Sequence, residues 1–143
     1  MRSELLAYLC DYILQHKQDA HLLVGIDGID ASGKTTLADE LATTLRKRGW
    51  NVIRASIDGF HNPKETRYRQ GRDSASGYYE DSFDYQGLVA ELLEPLKNNE
   101  PAYRAEVFDY RTEAKIDSKT RDAEPGSILI MEGVFLFRPE IVR

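Results

Sequence analysis

The stretch Gly28-Ile29-Asp30-Ala31-Ser32-Gly33-Lys34-Thr35 constrains this chain more than any other. Two glycines five positions apart, followed by Lys and Thr, form the pattern of a loop that wraps phosphate groups. The pattern carries meaning only between a strand and a helix, and both flanks are present. His21 to Ile26 reads as a buried strand. Thr36 to Arg48 reads as an amphipathic helix with Leu37, Leu41 and Leu45 on one face and Ala38 and Ala42 thinning it for close packing. Gly28 and Gly33 let the backbone turn tightly and offer consecutive N–H groups to phosphate oxygens. A helix starting near Lys34 adds its positive dipole end and unpaired donors. Lys34 is expected to reach the β- and γ-phosphates, and the Thr35 hydroxyl to complete a Mg²⁺ shell. The nucleotide-binding set is then Gly28, Asp30, Ala31, Ser32, Gly33, Lys34, Thr35 and Thr36. The alternative is a Gly/Ser-rich turn that binds nothing.

With phosphate affinity assigned to local groups, the bulk charge has little to add. The 143 residues carry a net charge of −5, which gives no general attraction to nucleic acid or an anionic membrane surface. The length suits one domain, and 41% hydrophobic with 30% charged residues is ordinary for a soluble globular chain. A single cysteine, Cys10, excludes an internal disulfide and fits a reducing cytosol. It falls on a predicted helix, where a small buried hydrophobe is the expected role. No apolar run reaches the ~20 residues of a membrane helix, and Met1-Arg2-Ser3-Glu4 does not open a signal peptide. The expectation is a cytoplasmic protein.

Leu5, Leu6, Leu9, Tyr12 and Ile13 recur at helical spacing, predicting a helix over 4–17 with Ser3 as its N-cap. A first strand is expected at 21–27. Gly49 reads as the stop of the following helix. A second strand over 51–57 ends at Asp58, and the strand-helix-strand unit makes the two strands parallel. From Gly59 to Asp81 a long polar connection, read as structureless, carries His61, Lys64, Arg67, Arg69 and Arg72. It is either a solvated basic surface or, placed after a strand's carboxyl end, a contact for an anion or substrate. Leu88, Val89, Leu92, Leu93 and Leu96 predict a helix over 85–96 that Pro95 should kink or end. Tyr103 to Tyr110 resembles a strand, with a hairpin partner around 115–122. Ser127 to Phe135 reads as a continuous apolar strand that ends in an acid, Glu132.

Three segments thus place a functional-looking residue at a strand's carboxyl end, where open α/β sheets bind ligands. Lys34, Thr35, Asp58 and Glu132 are expected to converge on one crevice. Phosphoryl transfer to a hydroxyl needs Mg²⁺, charge neutralisation and an acceptor held in line. Asp58 is the candidate to orient the acceptor hydroxyl and take its proton, unless it only caps the turn before Gly59. Glu132 is the candidate to hold Mg²⁺, directly or through water, unless it is a strand-end acid facing solvent.

The phosphate-binding loop, Ser56-Ile57-Asp58-Gly59-Phe60-His61, Phe83-Asp84-Tyr85, Val107-Phe108-Asp109-Tyr110 and Glu132-Gly133-Val134-Phe135 together resemble the uridine kinase family. That family belongs to the group of P-loop kinases that includes phosphoribulokinase and pantothenate kinase. The resemblance covers nearly the whole chain from residue 21. It implies a P-loop three-layer α/β/α fold with a mainly parallel sheet and an ATP- and Mg²⁺-dependent kinase acting on a small-molecule acceptor. It implies Lys34 on the nucleotide, Thr35 and Glu132 near the metal, and Asp58 as base. His61, Phe108 and Tyr110 would line the acceptor pocket. The family's ribose-holding Asp falls at Tyr78 here, and its pyrimidine-reading His at Glu113. These departures point away from uridine. Together with Arg67, Arg69 and Arg72 they suggest an acceptor that already carries a phosphate or carboxylate. Family members continue past the Glu-Gly strand into further strands and an Arg-bearing lid, so a fragment is expected, or else a degenerate member. A nucleotide-dependent switch or hydrolase, and a catalytically silent nucleotide-binding module, stand as rival readings. The sequence does not indicate an oligomeric state.

Overall fold

Ile128-Leu129-Ile130-Met131 can be buried on both faces only if helices cover both sides of its strand. A computed structural model, which describes residues 2–28, 33–116, 120–136 and 138, shows this arrangement. Three parallel strands form the central sheet: β1 (Leu22–Asp27), β2 (Val52–Ser56) and β7 (Ile128–Gly133), with β7 in the middle. Leu22 lies opposite Ile128 and Asp27 opposite Gly133. On the other side Val52 faces Ile128 and Ser56 faces Glu132. Every residue of β7 is buried.

Alternation along the strands separates two layers. Ile128 and Ile130 pack on α1 (Arg2–Gln15) and α2 (Lys34–Lys47), with Cys10, Ile13, Leu41 and Leu45. Leu129 and Met131 pack on the opposite layer, with Phe60, Phe83, Leu88, Leu92 and Tyr103. The expected three-layer α/β/α fold with a parallel sheet is borne out. Cys10 is fully buried, and that burial pushes its thiol pKa up. Among the described residues no helix is long and apolar enough to cross a membrane.

Helix α1 begins at Arg2, so Ser3 lies inside it rather than at its cap. The Arg2 guanidinium pairs with Glu40 of α2 at 2.6 Å and fixes this end. Helix α2 begins after Gly33, whose φ of 83° is a left-handed value that glycine adopts without strain. It ends as expected at Gly49, φ 93°. There the Trp50 N–H reaches Leu45 O at 3.1 Å and the Gly49 N–H reaches Arg46 O at 3.0 Å, satisfying two terminal carbonyls.

Two expectations are corrected and one is refined. The segment 59–81 is not structureless. After the 3₁₀ turn Ile57–Phe60 it forms α3 (Lys64–Arg67) and α4 (Ala75–Asp81), the latter capped by Ser74 Oγ accepting from Gly77 N. Pro95, expected to kink or end its helix, lies in the last turn, and the helix runs two residues further, to Lys97. Helix α5 (Tyr85–Leu88) continues through a π-helical stretch, Val89–Leu93, into α6 (Glu94–Lys97). Pro95 has no N–H for the Glu91 carbonyl four residues back, and that carbonyl accepts from Arg104 N at 2.8 Å instead. The strand over 103–110 is in fact two short antiparallel ladders. β3 (Ala102–Tyr103) pairs with β6 (Arg121–Asp122), and β4 (Phe108–Asp109) with β5 (Ala114–Lys115).

Candidate active site at the carboxyl edge of the sheet

Parallel register brings the carboxyl ends of β2 and β7 side by side, and the chemistry-bearing residues follow from that. Thr35, Ser56, Asp58, Phe108, Tyr110 and Glu132 line one cavity of 450 Å³. Glu132 is 4% exposed, so it is not a strand-end acid facing solvent. Alternation puts it on the same face of β7 as Ile128 and Ile130, toward α2 and Thr35. Asp58 sits in the 3₁₀ turn, whose cap is Ser56: Ser56 Oγ accepts from Asp58 N at 3.1 Å. With that role taken by Ser56, the Asp58 carboxylate is left on the cavity wall.

An aromatic stack stands behind Tyr110 on the cavity wall. The His61 ring lies 4.5 Å from that of Tyr110 and 4.6 Å from that of Phe83. His61 Nδ1 stands 2.9 Å from Asp58 O; because a carbonyl can only accept, Nδ1 carries the proton. The other family-like motifs build this wall. Asp84 caps α5 by accepting from Gly87 N at 2.9 Å, and Asp109 Oδ1 accepts from Arg111 N at 2.9 Å.

Other expected site residues are placed differently. Lys34 does not share the cavity of Asp58. Successive helical residues turn about 100°, and Lys34 lines a neighbouring 700 Å³ cavity with Gly28, Gly33 and Thr36. Asp30, Ala31 and Ser32 lie outside the described residues. His61, Arg67, Arg69, Arg72 and Tyr78 do not line the cavity of Asp58 among the described residues, although the His61 ring stacks on Tyr110, which does. Arg67 is paired with Glu113 at 2.7 Å, and Glu113 also accepts from Lys64 N at 2.8 Å. Arg69 binds Asp81 at 2.5 Å, joined by Gln70 at 2.8 Å. The Asp81 carboxyl is held below its ordinary range, chiefly by the Arg69 hydrogen bond. Arg72 stacks over Tyr68 at 5.1 Å, and Tyr78 meets Phe135 edge-on at 5.2 Å. The basic segment therefore spends its two best-placed guanidinium groups on the protein's own carboxylates.

Sequence reasoning missed Arg54. It lies on the α2 side of β2, where its Nη2 comes within 3.7 Å of Glu132 Oε1 and 3.0 Å of Asp39 Oδ1. A charged residue at the centre of a buried strand, in phase with Ser56, was the available signal.

Known proteins resemble this chain in sequence and fold. No family model matches the chain. The uridine kinase of Leuconostoc citreum is 30% identical over 124 residues, 85% of this chain and 57% of that protein. The uridine kinase of Staphylococcus aureus is 28% identical over 125 residues, 87% of this chain and 58% of that one. The chain thus spans little more than half the length of these curated relatives. A solved structure from Bacillus stearothermophilus, described as a possible uridine kinase, superposes with a TM-score of 0.84 and 32% identity, over 96% of this chain and 73% of that one. With sequence and fold in agreement, the chain belongs to the uridine kinase-like family of P-loop kinases.

Proposed function

We propose that this chain is a Mg²⁺-dependent kinase that moves the γ-phosphoryl group of ATP to a hydroxyl of a small metabolite. The observation that carries this reading is the single cavity shared by Thr35, Asp58 and Glu132. The relatives' names, uridine kinases, agree with it. The phosphate-binding loop and Lys34 hold the triphosphate. Asp58 orients the acceptor hydroxyl and accepts its proton as the new P–O bond forms and the bond to the β-phosphate oxygen breaks. The Thr35 hydroxyl and the Glu132 carboxylate are the groups that would hold Mg²⁺. Both are hard oxygen donors, as this ion prefers. Mg²⁺ completes its shell with phosphates and water, so it needs no protein cluster of three ligands, and the described residues contain none. Bound there, Mg²⁺ would neutralise charge on the transferring phosphoryl group.

The acceptor is an uncharged polyhydroxy metabolite, nucleoside-like or sugar-like. With Arg67 and Arg69 ion-paired away from the cavity, an acid-bearing acceptor loses those two partners and would have Arg111 to meet it. What faces the acceptor is aromatic (Phe108, Tyr110) and carboxylate (Asp58, Glu106, Asp109), with the guanidinium of Arg111 beside them, a wall on balance acidic that suits rings and hydroxyl donors.

Asp58→Asn tests the assignment. Transfer should fall by about 10²–10⁴-fold while calorimetric ATP-analogue affinity stays unchanged. Undiminished transfer would remove Asp58 from the chemistry.

A further inference from the structure

Arg54 is held on three sides. Its Nη1 donates to Ala55 O at 2.9 Å and Ile130 O at 3.1 Å, and its Nε donates to Asp39 Oδ1 at 3.0 Å. These bonds tie β2, β7 and α2 to one guanidinium. Its remaining reach is toward Glu132, whose carboxylate oxygen it approaches to 3.7 Å, beyond hydrogen-bond distance. Arg54 therefore balances the charge of a buried carboxylate without occupying the lone pairs that a metal would use. Asp39, at 64% side-chain exposure, shares the same guanidinium from the solvent side.

We propose that Arg54 is a positioning residue that competes with the divalent cation for Glu132 and so sets the metal concentration the site requires. A buried carboxylate is costly to leave uncompensated, so an internal cation stabilises the metal-free protein. A second cation arriving at the same carboxylate meets the first at short range in a poorly screened setting. The two interactions oppose each other, and by linkage whatever weakens Arg54 at Glu132 tightens the metal. Asp39 draws part of the guanidinium charge outward, which gives it the opposite effect to Arg54. The inference rests on the reading of Glu132 as a metal-holding residue.

The test is calorimetric titration of Mn²⁺ into the full chain saturated with a non-hydrolysable ATP analogue. Arg54→Gln should bind Mn²⁺ about three- to tenfold more tightly than wild type, and Arg54→Lys should return to the wild-type value. Asp39→Asn, a change at an exposed position, should weaken Mn²⁺ binding. A purely structural role for Arg54 would give no such opposed signs. If Arg54→Gln fails to fold, Asp39→Asn alone decides: weakened binding supports the competition, and unchanged or tighter binding overturns it. Unchanged or weaker binding in a folded Arg54→Gln variant also overturns it. Glu132→Gln separates the two claims. Weakened Mn²⁺ binding there upholds Glu132 as a metal group whatever Arg54 does, whereas unchanged binding defeats that reading and this inference with it.

Discussion

Glu113 performs two tasks in one side chain: it accepts from the first N–H of α3 and closes on Arg67, a guanidinium 12% exposed. Glu113→Gln would leave that guanidinium without its counter-charge and should cost about 2 kcal/mol in urea unfolding. An unchanged midpoint would mean that the pair only decorates the surface. Asp81, 1% exposed, is bound by Arg69 and Gln70. Its lowered pKa means that the folded chain takes up this proton less readily than the unfolded one. Its contribution is therefore complete above the unfolded value and fades as pH falls below about 4. Arg69→Gln should flatten this acid-side loss in unfolding midpoints measured across pH, and an identical acid limb in both proteins would contradict the assignment. At this scale the sequence was legible wherever a residue's placement is local. Thr35 and Asp58 follow from the strand and loop that carry them, and Glu132 from an acid in an apolar run. The partners of Arg67 and Arg69 were not legible, because each lies on another element, Glu113 on the β4–β5 turn and Asp81 in α4. Read without those partners, the two cations were candidate anion contacts, and the ion pairs take them out of that role.

Among elements, α5 to α6 shows how a proline can sit inside a helix. The π-helical stretch carries the chain to Pro95, and Arg104 N supplies the donor that Pro95 lacks, 2.8 Å from Glu91 O. Pro95→Ala should therefore change stability by less than about 1 kcal/mol, against the roughly 3 kcal/mol expected for relieving an uncompensated helix-interior proline. A gain near the larger figure in urea unfolding would show that the helix is strained. Gly133, where β7 ends, faces the side chain of Ile57, and an added Cβ would sit 2.7 Å from Ile57 Cβ. Gly133→Ala should lower stability by about 1–3 kcal/mol, read as a shifted midpoint with unchanged m-value. Helices α1, α2 and α5 to α6 and the three sheet strands were legible from periodicity to within a few residues, whereas α3 and α4 lie in a polar stretch that carries no apolar period. The ladders of β3 to β6 were not, since two-residue pairings carry almost no pattern and are fixed by contacts such as Ala123 N to Pro101 O at 2.6 Å.

For the whole molecule, the order β1-β7-β2 matters most. The last strand enters between the first two, and only then does Glu132 come opposite Ser56 and beside the turn that carries Asp58. Strand order is not written in any single segment. What the sequence did show was that each of these three strands has a candidate site residue at its carboxyl end, and a parallel sheet gathers such ends at one edge. The gathering was anticipated, apart from Lys34, which helical rotation sends to the neighbouring cavity. The most direct test is ADP formation by the full chain supplied with Mg²⁺-ATP, measured with and without a panel of nucleosides, neutral sugars and their phosphorylated counterparts. Expected is near-silence with ATP alone and a marked rise with one of the neutral alcohols. ADP released at the same rate whether or not any acceptor is present would contradict the assignment.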